Sequence, residues 1–335
     1  MPSIDRRALF RAGALLAAPA ILPGPRRARA EEGWRPNQTV RIVVPGAAGG
    51  TTDLMARVLA SHLQQRWGQS VVVDNRSGGG GTVGTLEVVR ARPDGHTILL
   101  GNIGPQAIAY SLIRGMQYQP GDLAPVSGML RGPNVLVVHP SLPVRTVPEF
   151  VAYLRRNPDK LSYGTSGLGQ SVHISGVLFH QLIGLPGTAV HFRGSAPAQI
   201  SLFGNDVQYM FDNLPTMVEP IRSGKVRALA VTSADRNAGL PELPALRETM
   251  PELASYDVNT WFGAFLPAAA PPAVLQALNA EMRVLLEEPE TRTRFAALGG
   301  VPDWRTPSDY AAFVRSEIDK WGAVLRREGL QIDAD

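Results

Sequence analysis

What most constrains this chain is an alternation that runs almost its whole length. Short β-branched apolar runs are each followed by a turn rich in glycine or small polar residues, and then by a stretch with helical apolar spacing. Residues 40–45 are the first such run. After a glycine-rich turn, Leu54, Met55, Val58, Leu59 and Leu63 fall at helical spacing between Thr52 and about Trp67, with Gly68 as the stop. The same reading predicts strands at 71–74, 97–101, 135–139, 161–164, 188–192, 207–211, 226–232 and 261–266. It predicts helices at 148–155, 172–183, 198–203, 272–286, 290–298 and 308–328. Strands alternating with helices point to an α/β class. At 335 residues, two lobes are expected rather than one sheet. Residues 130–139 and 231–261 are the expected crossings between them.

The first 30 residues do not fit this pattern. Arg6-Arg7-Ala8-Leu9-Phe10 precedes an apolar run at 12–22, and Ala28-Arg29-Ala30 closes the segment. That is the layout of a secretory signal, cleaved after Ala30, with adjacent arginines of the twin-arginine kind. The apolar run is far short of the roughly 20 residues of a spanning helix. Removing the leader also changes the charge. The whole chain is +4, but six arginines and one aspartate lie in residues 1–30, so 27 basic and 28 acidic residues remain. A basic character confined to the leader gives no nucleic-acid footprint. There is no cysteine, so the fold stands without disulfides and has no lipid-modified N-terminal thiol.

Three strand-to-helix turns could carry chemistry. In Gly49-Gly50-Thr51-Thr52-Asp53 the glycines allow a close approach, and the helix start offers free N–H groups at a positive dipole end. Thr51 or Thr52 can cap the helix or donate to a carboxylate, while Asp53 complements the dipole. Ser166-Gly167-Leu168-Gly169-Gln170-Ser171 leads into a helix bearing His173. Arg193-Gly194-Ser195-Ala196-Pro197 adds a fixed positive charge suited to a carboxylate, or to a surface ion pair.

Enzymatic readings find little support. Gly164-Thr165-Ser166-Gly167-Leu168 fails the nucleophile-elbow pattern at Leu168. Gly79-Gly80-Gly81-Thr82-Val83-Gly84 satisfies a dinucleotide fingerprint, but it follows the second strand where the first is required. The six histidines are scattered without metal-ligand spacing. The chain is therefore read as non-enzymatic, without cofactor or metal. A hydrolase using Ser166 or Ser171 with His173 is the competing class.

Taken together, the ordered segments resemble the substrate-binding proteins of tripartite tricarboxylate transporters, the Bug receptors. They include Val43-Val44-Pro45, Gly49-Gly50-Thr51-Thr52-Asp53, Val72-Val73-Asp74-Asn75-Arg76, Pro93-Asp94-Gly95-His96-Thr97, Arg193-Gly194-Ser195-Ala196-Pro197 and Met210-Phe211-Asp212-Asn213-Leu214-Pro215. The resemblance implies a type II periplasmic-binding-protein fold with lobe 1 over 31–134 and 255–335 and lobe 2 over 135–254. It implies a monomeric periplasmic receptor for a small carboxylate, partnered by large and small integral-membrane subunits; a sensor for a signalling kinase would share the same site. Carried over, Gly49–Asp53 and Asn75 to Gly78 form one wall. Ser166, Gln170, Ser171, Arg193, Gly194, Ser195 and Asp212 form the other, with Asp212 facing a ligand group or water, or capping the turn that follows it. The sequence departs from the family at Gly46-Ala47-Ala48, where an aromatic residue and prolines are usual, and at Leu168 and Gln170. The departure at Gly46-Ala47-Ala48 implies a roomier wall.

Overall fold

A computed structural model describes residues 33–327 and 329–333. The leader expected over residues 1–30 lies outside the described residues.

In chain order the first lobe opens with β1 (Val40–Val44), α1 (Thr51–Trp67), β2 (Val71–Asn75), α2 (Thr82–Val89) and β3 (Thr97–Asn102). A π-helical turn at Gly104–Ile108 runs into α3 (Ala109–Leu112) and β4 (Ile113–Arg114). The long strand β5 (Leu123–Val138) leaves this lobe. Next come α4 (Val147–Arg156), β6 (Ser162–Thr165), α5 (Ser171–Ile183), β7 (Thr188–His191), α6 (Ser195–Phe203), β8 (Tyr209–Asn213), α7 (Leu214–Arg222) and β9 (Arg227–Val231). The chain returns through β10 (Asn259–Pro267) and ends with α8 (Pro272–Glu287), α9 (Pro289–Ala297), β11 (Val301–Pro302), α10 (Pro307–Arg327) and β12 (Ile332–Asp333).

Two sheets share one strand. β1 lies parallel between β2 and β3, and β10 runs antiparallel to both β3 and β5. β10 pairs β5 from Leu123 to Pro133, and β8 and β9 pair it from Asn134 and Val135 to Val138. β5 is thus the outward crossing, passing from one sheet to the other between Pro133 and Asn134. The return crossing is tied to it there. The Thr232 N–H donates to the Asn134 carbonyl, the Asn134 N–H to Thr232 Oγ1 at 2.8 Å, and the Thr232 hydroxyl to the Val258 carbonyl at 2.6 Å.

The apolar strand runs follow from burial on both faces, as parallel sheet with helices on each side requires. Side chains alternate with period two. Val40, Ile42, Val44, Ile98 and Leu100 pack with α1 and α8 residues such as Leu59 and Leu278, while Val43 and Leu99 join a second core with Tyr310 and Trp321 of α10. Lobe 2 repeats the device, with Val135, Val137 and Met210 against α6 and α7, and Leu136, Val138 and Phe211 against Phe150 and Phe179.

Most element bounds agree with the pattern-based expectation to within two residues. The elements outside that expectation are α2, α3, α7, the two-residue strands β4, β11 and β12, and the first part of β5. Four consecutive glycines mask the start of α2, two prolines interrupt α7, and Pro125, Gly128, Gly132 and Pro133 make the first part of β5 read as loop. All four of these β5 residues pair with β10, whose register shifts leave Met129 and Val126 as the bulged residues.

Candidate ligand-binding site

Each strand that points toward the inter-lobe seam ends in a turn, and the next helix starts there. α1, α2, α5, α6 and α7 are preceded by Gly50, Gly81, Gln170, Gly194 and Asn213, and none of these residues caps its helix through a side-chain hydrogen bond. Elsewhere α4 begins with a full capping box between Thr146 and Glu149, while α8 and α9 start without a side-chain cap. Helix starts without side-chain caps leave first-turn N–H groups for another acceptor.

The lobes meet directly across these turns. A Cβ at Gly49 would lie 3.3 Å from the Ala196 Cβ, and one at Gly50 would lie 3.7 Å from the Ser195 Cβ. At Gly194, whose φ is +141°, a Cβ would sit 2.5 Å from Ala47, so only glycine fits between the two walls. The Gln170 amide donates to the Gly80 carbonyl at 2.6 Å, and Thr51 Oγ1 is 3.4 Å from Thr216 Oγ1.

Several nominated residues are engaged by their own loops. The Gly49 N–H and Arg57 Nε both donate to Asp53 Oδ2 at 2.9 Å. Burial pushes the Asp53 carboxyl up, but its hydrogen bonds from Arg57, Gly49 and Asn75 outweigh this, and it titrates below the ordinary range. Asn75 donates to the Gly46 carbonyl at 3.2 Å, and Thr52 Oγ1 accepts from Asn102 at the same distance. Asp212 is fully buried. Its Oδ2 accepts from Ser195 Oγ at 2.5 Å and from Gln199 Nε2 at 2.6 Å, and its Oδ1 accepts from the Asn213 N–H at 2.8 Å. Burial raises its pKa against those three donors. The carboxylate therefore orients Ser195 at the start of α6. Ser171 is the first residue of α5 and is buried.

Beside the seam lies a cavity of about 890 Å³, walled by α2 and the loop around Met116 from one lobe and by Ser166 to Gln170 and His191 to Arg193 from the other. Of the nominated residues, Gly78, Ser166, Gln170 and Arg193 line it; the rest sit in or behind the direct lobe contacts. Arg193 makes no ion pair among the described residues, which removes the surface salt bridge as an account of it. Reading turns alone missed the wall of α2, with Val83, Glu87 and Arg90, and also Arg41. It missed Asn134 as well, which accepts from Asn213 Nδ2 at 2.6 Å and donates to Ser175 Oγ at 3.0 Å. An asparagine inside an otherwise apolar strand was the available signal.

His173 is turned away from chemistry. Its Nδ1 accepts from the Gly169 N–H at 3.2 Å, and its ring meets His191 edge-on. Burial, with a smaller contribution from His191, lowers its pKa to about 4, so the ring is neutral near pH 7.

Known proteins share this fold. BugT of Bordetella pertussis is 34% identical over 300 residues, covering 89% of this chain and 91% of that protein. Rpa4515 of R. palustris, solved with adipate, superposes with a TM-score of 0.85 at 35% identity, over 89% of this chain and 99% of its own. MatC of Rhodopseudomonas palustris, solved with malate, gives 0.82 at 32% identity, over 87% and 99%. Residues 55–330 match the family described as the tripartite tricarboxylate transporter family receptor. With its two lobes, shared strand and facing helix starts, this chain belongs to that family, the TctC receptors.

Proposed function

We propose that this chain is a periplasmic receptor that closes over a small organic carboxylate and presents it to the large and small membrane subunits of a tripartite transporter. One observation carries the reading: helix starts without side-chain caps from both lobes face one another across a seam that opens into a cavity. N–H groups at a helix start hold an anion without a counter-charge, so no basic cluster is needed. In this reading Gly49, Gly50, Thr51, Thr52, Asn75 and Gly78 form one wall and Ser166, Gln170, Ser171, Arg193, Gly194 and Ser195 the other. Asp53 and Asp212 fix the Gly49 turn and the Ser195 side chain by accepting the Gly49 N–H and the Ser195 hydroxyl, which leaves the helix-start N–H groups for the ligand. The lobes divide within β5 near residue 134, and the leader ends at Ala30. Adipate and malate in the relatives support the ligand class.

The hydrolase alternative draws no support from the geometry. No hydrogen bond joins His173 to Ser166 or Ser171 among the described residues, and the His173 Nδ1 is already taken by Gly169.

A melting-shift screen of di- and tricarboxylates on the mature protein tests the proposal. A ligand at a hundredfold excess over its dissociation constant should add about 2.7 kcal/mol to stability. If no acid raises the melting temperature, the receptor reading is overturned. Steady ester hydrolysis that disappears in a Ser166→Ala, Ser171→Ala double variant would also overturn it.

A further inference from the structure

The cavity is far larger than a four-carbon acid needs. At about 890 Å³ it sits near the top of the roughly 300–1,000 Å³ range that holds drug-sized ligands. It also lies beside the seam, where the direct contacts at Gly49, Gly80 and Gly194 leave little room.

Two properties of its walls define what would fill it. The inner surface lacks side chains at Gly46 and along Gly78 to Gly81, and a Cβ at Gly46 would meet nothing within 4 Å. Val83 and Phe192 supply apolar surface, and Val83 is 53% exposed although it faces a concave wall. The charges are also asymmetric. Glu87 is held by Arg41 and Arg76, both on its own lobe. Arg90 from one lobe and Arg193 from the other have no ionic partner among the described residues, and both line the groove.

From this we infer that the receptor is built for an elongated α,ω-diacid. One carboxylate is anchored at the seam, an apolar chain longer than that of adipate lies over Val83 and Phe192, and the distal carboxylate meets Arg90 and Arg193. The inference rests on the receptor reading above and names the ligand class of that site. Each buried methylene strengthens binding, whereas a monoacid of the same length leaves the two guanidinium groups unmatched.

Calorimetric titration of the mature protein with succinate, adipate, suberate and sebacate, and with octanoate as the monoacid, tests it. Affinity should rise about fourfold per added methylene from succinate to suberate. Octanoate should bind at least about tenfold more weakly than suberate. Gly46→Phe places a ring in the groove without backbone strain and should flatten the length series. Arg90→Ala and Arg193→Ala, both at exposed positions, should each narrow the gap between suberate and octanoate. Succinate binding as tightly as suberate, or a Gly46→Phe series as steep as that of the parent, overturns the inference while leaving the receptor reading intact. An absence of heat with every acid overturns the receptor reading itself.

Discussion

Gly80 offers a clean separation of lobe closure from fold stability. Its φ is +61°, and a Cβ there would lie 2.0 Å from the Leu168 carbonyl oxygen of the opposite lobe, against an ordinary contact of 3.4–4 Å. Gly80→Ala therefore carries two distinct costs. The left-handed backbone costs roughly 1–2 kcal/mol for any residue with a Cβ, whether the lobes are apart or together. The clash arises only when the lobes meet. Relieving it against backbone is an overpacking problem of about 1–3 kcal/mol. Displacing the Gly80 carbonyl from the Gln170 amide forfeits about 0.5–1.5 kcal/mol more. The closed state should thus lose about 1.5–4.5 kcal/mol relative to the open one, weakening ligand binding roughly tenfold to a thousandfold. Gly68→Ala is the control. Gly68 ends α1 with φ +68° and has open space where its Cβ would go, so it carries the backbone cost alone. Both variants should melt a few degrees lower. Only Gly80→Ala should lose affinity, measured calorimetrically with the tightest acid from the screen. Equal affinities in the two variants would refute the view that ligand is held by lobes that meet at Gly80 and Leu168.

Two further outcomes are expected. The His173 pKa is depressed in the fold to about 4 from an ordinary 6.5, so the stability it contributes is present above pH 6.5 and is lost as pH falls through 4. Denaturant unfolding of His173→Asn across that window should show a shallower decline than the parent; an unchanged slope would remove His173 as its source. Thr232→Val keeps the shape at the crossing but leaves the Asn134 N–H unpaired in a fully buried site, so it should cost about 1–3 kcal/mol in chemical denaturation. A change under 0.5 kcal/mol would mean that this link is not needed to hold the crossings.

How much of this was legible in the sequence depended on which signals were local. Val40 to Val44 and the helix after Gly50 announce themselves through composition and spacing, because β-branched runs and a 3.6-residue period need no tertiary context. The first part of β5 does not. Pro125 and Gly132 are poor strand residues taken singly, and only pairing with β10, more than 120 residues later, makes the strand. The site divides in the same way. Gly49, Gly50 and Gly194 were recognisable because a tight approach demands glycine. That Asp212 turns inward to Ser195 and Gln199 follows from β8 and α6 lying side by side, which sequence spacing does not encode. Arg90 gave no signal either. It follows an unremarked helix, and its lack of an ionic partner is a property of the surface around it.

The sharing of β5 also bears on how the chain comes to be folded at all. Lobe 2 is contiguous in sequence between β5 and β9, whereas the far edge of β3 has no strand beside it until β10 is made. During synthesis the second lobe can therefore assemble while the first still carries a bare, apolar strand edge, the kind of surface on which chains aggregate. Long-range closure of this sort is slow. Quality control of the nascent protein should thus concentrate on β3, and destabilising β10 should reduce yield well before it alters ligand affinity.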